Sequence, residues 1–265
     1  MIDLHCHILP GVDDGPETVQ AAIALARGAQ ADGITTIAAT PHVDWSHPEL
    51  DADRITRAVQ ALQPRLDAAG VAVHVVGGGE VDVTRAADLG DAELRALALG
   101  GGPWLLLECP LTGGIAPGFA AAAHSLARRG HRLLLAHPER SPVFLHSPEL
   151  LDELVSGGML AQVTAGSLTG RFGRRVRDFA LALVARGLIH VAASDGHGEH
   201  RPATIASELT AAGIDPGLAT WLGRDVPAAL LAGRPLPARP EPSTRSGGGR
   251  RRRIRRFRAA RFTSL

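Results

Sequence analysis

The chain contains no lysine and no tyrosine, so all 28 of its basic residues are arginine. Aromatic residues make up only 3% of it, and alanine is abundant. We interpret this bias as G- and C-rich coding, which suggests a bacterial source and carries no information about activity. Only two cysteines are present, Cys6 and Cys109, which argues against a disulfide-rich scaffold and favours free thiols in a reducing compartment.

Long apolar runs are also missing. No uncharged apolar run approaches the ~20 residues that a membrane-spanning helix requires. Asp3, His5 and His7 interrupt the first apolar stretch, so we expect no secretory signal. A cytoplasmic location is therefore expected, with membrane association as an alternative that depends on the C-terminal tail.

The length and charge of the chain indicate how it is organised. With 265 residues, 45% of them apolar, the chain suits one barrel-sized domain or two small ones. Its formal net charge of +1 is unevenly distributed, because residues 239–265 carry +9 and residues 1–238 carry −8. We predict an acidic globular domain over residues 1–237 and a basic tail over residues 238–265.

The predicted tail is rich in proline, glycine and arginine. It cannot bury enough apolar surface to fold alone, so we expect it to be disordered. Two interpretations stay open: a neutral solvated extension, or a basic arm that contacts anionic lipid or nucleic acid.

Strand-like and helix-like segments alternate along the predicted domain. Seven short apolar runs have the continuous apolar character of strands buried in a parallel sheet, at residues 1–4, 34–39, 71–76, 104–107, 132–136, 160–164 and 188–193. Between them lie segments rich in alanine and leucine with helical spacing, at residues 17–32, 51–69, 117–129, 148–156 and 174–186. Two or three more helices are expected within residues 203–231. Repeating β-α units of this kind predict an α/β fold, either an open doubly wound sheet or a closed barrel.

Candidate metal ligands follow the ends of these predicted strands. They are His5, His7, His42, Glu80, Glu108, His137, Asp195 and His197, with Asp14 shortly after the first strand. In a parallel barrel the carboxyl ends of the strands converge on one face, so these residues are expected to share one site. Residues two apart on an extended segment project to the same side, as in the pairs His5/His7 and Asp195/His197.

The types of ligand indicate the metal and the chemistry. Imidazole and carboxylate suit Zn, Mn or Fe, and nine such groups exceed what one ion needs, so we expect two or three ions. Arg140 and Arg201 follow the fifth and last strands, where a guanidinium can hold phosphate oxygens with two hydrogen bonds. Metal ions with arginines beside them predict hydrolysis of a phosphate ester.

The ordered motifs resemble those of the PHP (polymerase and histidinol phosphatase) superfamily, and most closely its bacterial capsule and exopolysaccharide tyrosine phosphatases of the CpsB/CapC type. The resemblance covers residues 1 to about 237. The matching segments are residues 1–15 and the motifs Thr40-Pro41-His42, Leu107-Glu108-Cys109-Pro110, Ala136-His137-Pro138-Glu139-Arg140 and Ser194-Asp195-Gly196-His197. It implies a distorted (β/α)7 TIM-like barrel with a trinuclear site, usually loaded with Mn. Gly79 departs from the family pattern, which usually has a longer side chain there.

The resemblance also implies a role for each candidate residue. The first metal would be held by His5, His7, Glu80 and Asp195. Glu80 would bridge to a second metal, completed by Glu108 and His137, and the third would be held by Asp14, His42 and His197. Arg140 and Arg201 would grip the phosphate while a metal-bound hydroxide attacks. From the residues alone, Asp13 is an alternative to Asp14, and Cys6 is expected to be a small buried residue rather than a nucleophile.

Three functions follow, in order of preference. The first is a metal-dependent protein-tyrosine phosphatase acting on a bacterial tyrosine kinase that controls capsule or exopolysaccharide synthesis, a partner taken wholly from the resemblance. The second is a PHP phosphatase of a small metabolite such as histidinol phosphate or a nucleotide. The third, of another class, is a membrane- or nucleic-acid-associated regulator recruited through the arginine-rich tail.

Overall fold

The computed structural model describes residues 1–112 and 116–241, and within them nine short parallel strands form the core. The strands are β1 (Ile2–Cys6), β2 (Thr36–Ala39), β3 (His42–Val43), β4 (His74–Gly77), β5 (Glu80–Asp82), β6 (Trp104–Glu108), β7 (Arg132–Ala136), β8 (Leu160–Thr164) and β9 (Val191–Ala193). Because β2 pairs with β4 and β3 pairs with β5, β2/β3 and β4/β5 are two interrupted strands. The barrel therefore has the seven strands that the apolar runs predict.

Backbone hydrogen bonds close the sheet between its first and last strands. The amide of Asp195 donates to the carbonyl of His5, and the amide of His7 donates to the carbonyl of Gly196, both at 2.8 Å. This closure confirms the predicted α/β barrel and excludes the open doubly wound sheet. The carboxyl ends of the strands open on one face, here called the mouth, and the opposite face is called the base.

Twelve α-helices surround the barrel in the described part of the chain. They are α1 (Val19–Ala31), α2 (Ala52–Ala68), α3 (Val83–Asp88), α4 (Asp91–Ala96), α5 (Ala116–Arg128), α6 (Pro142–His146), α7 (Pro148–Ser156), α8 (Ala165–Thr169), α9 (Arg174–Ala185), α10 (Ala206–Ala211), α11 (Pro216–Thr220) and α12 (Val226–Leu231). The five predicted long helices are all present. The short α3, α4, α6 and α8 were not predicted. None of the helices described is long and apolar enough to cross a bilayer.

Four helices end in the same way at the base. Gly33, Gly70, Gly130 and Gly187 each follow a helix with a left-handed backbone (φ between 69° and 91°). After α1, the amide of Gly33 donates to Gln30 and the amide of Ile34 donates to Ala29, which satisfies the free carbonyls of the last turn. Glycine tolerates this conformation because it has no Cβ, and the next strand starts directly afterwards.

The interruption between β4 and β5 consists of two glycines. Residues 78 and 79 are glycines, and a Cβ on Gly79 would lie 2.9 Å from Val43 Cγ2. A larger side chain at Gly79 would therefore push β3 away from β5. Glycine at this position thus fits the tight local packing.

The segment after α12 packs back on the base. The indole nitrogen of Trp221 donates to the carbonyl of Pro237 at 3.0 Å. The guanidinium of Arg239 donates to the carbonyls of Ile189 and Val184 and lies 5.3 Å from the Trp221 ring centroid. Packed structure thus continues two residues past the predicted boundary at residue 237. The rest of the predicted tail, from residue 242, lies outside the described residues.

Candidate metal centre

The structure gathers the nine predicted ligands at the mouth of the barrel. Candidate donor atoms lie within 4.8 Å of one another in four overlapping groups: His5/His7/Glu80, His5/His137/Asp195, His42/Glu80/Glu108 and His7/Asp14/His42/His197. Six different strands contribute to these groups directly or through the loops that follow them. The convergence follows from parallel strands that all end on one face.

Two carboxylate oxygens each lie close to the same pair of imidazole nitrogens. The Nε2 atoms of His5 and His7 lie 3.2 Å apart. Glu80 Oε2 lies 3.2 and 3.3 Å from these two nitrogens, and Asp195 Oδ1 lies 3.4 and 3.5 Å from them. Nitrogen and oxygen ligands bind a divalent ion at roughly 2.0–2.2 Å, so ligands of one ion lie about 3 to 4 Å apart. The spacing of His5, His7 and Glu80 therefore suits one divalent ion, and Asp195 lies at the same distance from both histidines.

Glu80 occupies the middle of the whole cluster. Its Oε2 atom also lies 3.1 Å from His42 Nδ1, while its Oε1 atom lies 2.8 Å from His137 Nε2. Glu80 is buried, with 1% of its surface exposed, and its Oε2 atom has no hydrogen-bond partner. A buried carboxylate oxygen surrounded by imidazoles and lacking a hydrogen bond fits a ligand that bridges metal ions.

A second group lies on the outer side of His7. Asp14 Oδ1 lies 3.2 Å from His197 Nε2 and 3.6 Å from His42 Nε2, and its side chain is 58% exposed. Glu108 approaches His42 Nδ1 at 3.9 Å. The structure thus groups Glu108 with His42 and Glu80 rather than with His137, a different division from the one that the resemblance implies.

Asp13 and Gln162 hold the two central histidines in place. Asp13 Oδ2 accepts a hydrogen bond from His7 Nδ1 at 2.6 Å, and Gln162 Oε1 accepts one from His5 Nδ1 at 3.0 Å. Each bond fixes the ring proton on Nδ1 and turns the Nε2 lone pair toward Glu80. Asp13 is therefore a support for His7, and Asp14 is the aspartate whose carboxylate is free to bind a metal. Sequence reasoning missed Gln162, although a glutamine inside a fully buried strand was a usable signal.

Electrostatic coupling between imidazoles and carboxylates dominates the cluster. Burial lowers the pKa of an imidazole, yet the charges of Glu80 and Asp195 raise the pKa of His5 above its usual value. Burial likewise opposes ionisation of Glu80, but the neighbouring histidines hold its pKa well below the usual value. Burial and the charge of Glu80 raise the pKa of Glu108 to about 9. The mouth therefore concentrates negative charge that only cations, protons or metal ions, can balance.

Backbone strain is confined to two residues of this site. Among the described residues, His137 (φ 38°) and Asp195 (φ 51°) are the only non-glycine residues with positive φ. Such backbone conformations cost on the order of 1 kcal/mol or more and are concentrated at functional sites. His137 directly follows β7 and Asp195 lies two residues after β9, and the side chains of both belong to the cluster at the mouth.

The two predicted phosphate-binding arginines lie side by side. Arg140 and Arg201 both donate to Asp195 Oδ2, the second at 2.5 Å. The Nε atom of Arg201 is buried without a hydrogen-bond partner. The ring of Phe172 lies under both groups, 4.3 Å from Arg140 Cζ and 5.9 Å from Arg201 Cζ. Nothing in the sequence singled out Phe172.

The two cysteines are unsuited to nucleophilic chemistry. Cys6 and Cys109 are both free and fully buried. Burial raises the pKa of each thiol well above its usual value. A thiolate is the reactive form of cysteine, so neither residue can supply a nucleophile at neutral pH.

Together, the closed parallel barrel and the histidine–carboxylate cluster at its mouth define an α/β-barrel protein with a candidate metal-binding site. The model of the family "Capsular polysaccharide synthesis, CpsB/CapC" matches residues 1–211, and the chain belongs to this family. The tyrosine-protein phosphatase YwqE of Bacillus subtilis is 36% identical over 198 residues, which cover 74% of this chain and 77% of that protein. The putative tyrosine-protein phosphatase CapC of Staphylococcus aureus is 32% identical over 197 residues, with the same coverage of both chains.

Solved structures support the same relationship. A crystal structure from work on YwqE of Bacillus subtilis and CpsB of Streptococcus pneumoniae, described as unique metal-dependent tyrosine phosphatases, superposes with a TM-score of 0.77. It is 30% identical, and the match covers 92% of this chain and 100% of that one. A beta-aspartyl dipeptidase of Fervidobacterium islandicum superposes with a TM-score of 0.56 at 16% identity over 87% of this chain and 72% of that one, which shows a shared fold alone.

Proposed function

We propose that this protein is a metal-dependent protein-tyrosine phosphatase that acts on a phosphotyrosine protein of capsule or exopolysaccharide synthesis. The observation that carries the proposal is the set of donors around Glu80, next to two arginines that share one carboxylate. The family relationship supports phosphotyrosine as the substrate. We further propose a bacterial tyrosine kinase as the partner, Mn as the metal, and a cytoplasmic location.

The proposed ligands are the nine residues at the mouth. They are His5, His7, Asp14, His42, Glu80, Glu108, His137, Asp195 and His197. Bound divalent ions in such sites supply a nucleophilic water at neutral pH and balance charge on phosphate oxygens. Glu80 and Asp195 each face two or more imidazoles, so these two carboxylates would hold neighbouring ions at fixed positions.

Arg140 and Arg201 orient the phosphoryl group in this proposal. Both guanidinium groups keep N–H donors free after contacting Asp195, and the buried Nε of Arg201 lacks a partner. Phosphate oxygens match guanidinium donors in geometry and charge. The carboxylate of Asp195 thus aligns both arginines at the edge of the metal cluster, where the transferred group would lie.

Hydrolysis assays test this function. A phosphotyrosyl peptide and histidinol phosphate are incubated with the protein, with and without chelator and added Mn. We expect chelator-sensitive turnover of the peptide that Mn restores. The matched variants Cys6→Ala and Cys109→Ala should keep this turnover, because neither thiol takes part. Preferred turnover of histidinol phosphate would support the metabolite phosphatase instead, and absent chelator-sensitive turnover of phosphotyrosine would contradict the proposal.

The arginine-rich tail supports a second role, recruitment to an anionic surface. Arg239 is fixed on the base by the carbonyls of Ile189 and Val184, so the last described residues lie away from the mouth. We propose that the tail contacts anionic lipid or nucleic acid while the barrel works on its substrate.

Truncation tests the second role. Deleting residues 242–265 keeps Arg239 and its contacts, so the barrel should keep its stability and its turnover. Salt-sensitive binding to vesicles containing anionic lipid, or to DNA, should disappear with the tail. Equal binding by the full chain and the truncated chain would contradict the recruitment.

A further inference from the structure

Phe172 forms an aromatic platform beneath both arginines at the mouth. The Cζ atoms of Arg140 and Arg201 lie 4.3 and 5.9 Å from its ring centroid, within the range of cation–π attraction. The two arginines come from different loops, after β7 and after β9, whereas Phe172 follows α8. One ring therefore links two guanidinium groups that the backbone brings from separate parts of the chain.

The turn that carries Phe172 is held rigidly. Gly170 (φ 99°) and Gly173 (φ 91°) flank it, and the amide of Gly173 donates to the carbonyl of Gly170 at 2.9 Å. Glu208 binds the turn from the outside, because its two oxygens accept hydrogen bonds from Arg171 and from Thr169 Oγ1. Glu208 lies on α10, which follows Arg201 in the chain. The helix after Arg201 therefore also holds the turn that carries Phe172.

A platform of this kind matters because arginine side chains are long and mobile. Each loses about 2 kcal/mol of rotamer freedom when it is held in one geometry. Contact with Asp195 holds one end of each guanidinium, and the ring of Phe172 gives both groups a second contact. Two preorganised guanidinium groups present their remaining N–H donors to a tetrahedral anion at lower entropic cost.

We infer that Phe172 is a positioning residue that orients Arg140 and Arg201 for a phosphoryl group. The inference rests on the proposed function insofar as these arginines bind the phosphate of the substrate. Phe172 itself need not touch the substrate. Its contribution is measured through the affinity of the arginine pair for phosphate.

The experiment measures the binding of inorganic phosphate to Mn-loaded protein by calorimetry. Phe172→Leu keeps apolar bulk but removes the ring, and it should weaken phosphate binding by about 5- to 30-fold, as two cation–π contacts predict. Phe172→Tyr keeps the ring and should bind phosphate within about twofold of the wild type. Metal content should be unchanged in both variants.

Phe179→Leu is the matched control. Phe179 packs against the core from α9, and no cation–π contact joins it to either arginine within the described residues. Phosphate affinity should therefore be unchanged in this variant. Equal loss in Phe179→Leu and Phe172→Leu, failure of Phe172→Tyr to bind normally, or wild-type affinity in Phe172→Leu would each overturn the inference. Phosphate binding is measured without phosphotyrosine turnover. A protein that does not hydrolyse phosphotyrosine can therefore still show whether Phe172 positions the two arginines.

Discussion

Two histidines, His5 at the mouth of the barrel and His190 at its base, lie in opposite electrostatic settings. At the mouth, Glu80 and Asp195 raise the pKa of His5 despite its burial. At the base, burial and the charge of Arg239 lower the pKa of His190 to about 4. The mouth is therefore built to attract cations, while the base keeps its histidine neutral and packed. Function at one end and stability at the other depend on different residues.

Backbone strain shows the same division. Among the described residues, the two non-glycine residues with left-handed backbone, His137 and Asp195, lie at the mouth, where this conformation is costly, whereas the helix ends at the base use glycines such as Gly187, where it is cheap. Strain at the mouth falls on candidate ligands, and glycine at the base ends helices. The two ends should consequently respond differently to substitution.

Removing the central carboxylate should have the largest effect on the mouth. Glu80→Gln keeps the size of the side chain but removes the charge shared by four imidazoles, so Mn content should fall and phosphotyrosine turnover should drop more than ~100-fold. Mass spectrometry of bound metal and a turnover assay check this. Glu153→Gln, on an exposed helix face, should change neither value, and normal Mn content in Glu80→Gln would refute the assignment.

Removing the support of His7 should have a smaller effect. Asp13→Asn weakens the hydrogen bond that orients the His7 ring, so Mn affinity should fall about 10- to 100-fold, a usual effect of losing such a support. Titration with Mn at fixed pH measures the change. Unaltered Mn affinity would show that His7 keeps its orientation without Asp13.

The base should respond to pH through His190. Because the folded pKa of about 4 lies below the ordinary value of about 6.5, the unfolded chain binds more protons, and stability falls as the pH drops from about 6.5 toward 4. At pH 5 this loss amounts to about 2 kcal/mol. Urea unfolding at pH 7.5 and pH 5 should show a smaller loss for His190→Gln than for the wild type. An equal loss in both proteins would mean that His190 titrates normally when folded.

The smallest effect concerns a helix-ending glycine. Gly187→Ala has room for its Cβ but must adopt φ near 80°, so it should lose about 1 kcal/mol of unfolding free energy without loss of turnover. Gly28→Ala is the control, because Gly28 is exposed inside α1 and also has open space. Alanine there should stabilise the protein by up to about 1 kcal/mol. The same sign for both variants would contradict this account of the base.

Most of the fold could be predicted because its signals are local. Apolar runs and helix-ending glycines mark the strands and long helices directly, and the structure confirms the seven strands and the closed barrel. The short helices α3 and α4 and the breaks at residues 40–41 and 78–79 were missed. They depend on packing between segments, such as the contact of Gly79 with Val43, that no window of sequence displays.

For the site as well, local sequence signals could be predicted and contacts between distant segments could not. Strand-end placement was enough to choose the candidate ligands, because parallel topology converts sequence position into a shared face. Choosing between Asp13 and Asp14 required distances, since both are acidic neighbours on one loop. Phe172 carried no usable signal, because its importance lies in contacts with Arg140 and Arg201 from other loops.

Anomalous diffraction from crystals grown with Mn would locate the bound ions. We expect at least two Mn peaks flanking the carboxylate of Glu80 at the mouth, with His5 and His7 bonded to one of them. We expect none at the base near His190. An occupied Mn position away from Glu80, or an empty mouth at saturating Mn, would contradict the proposed metal site.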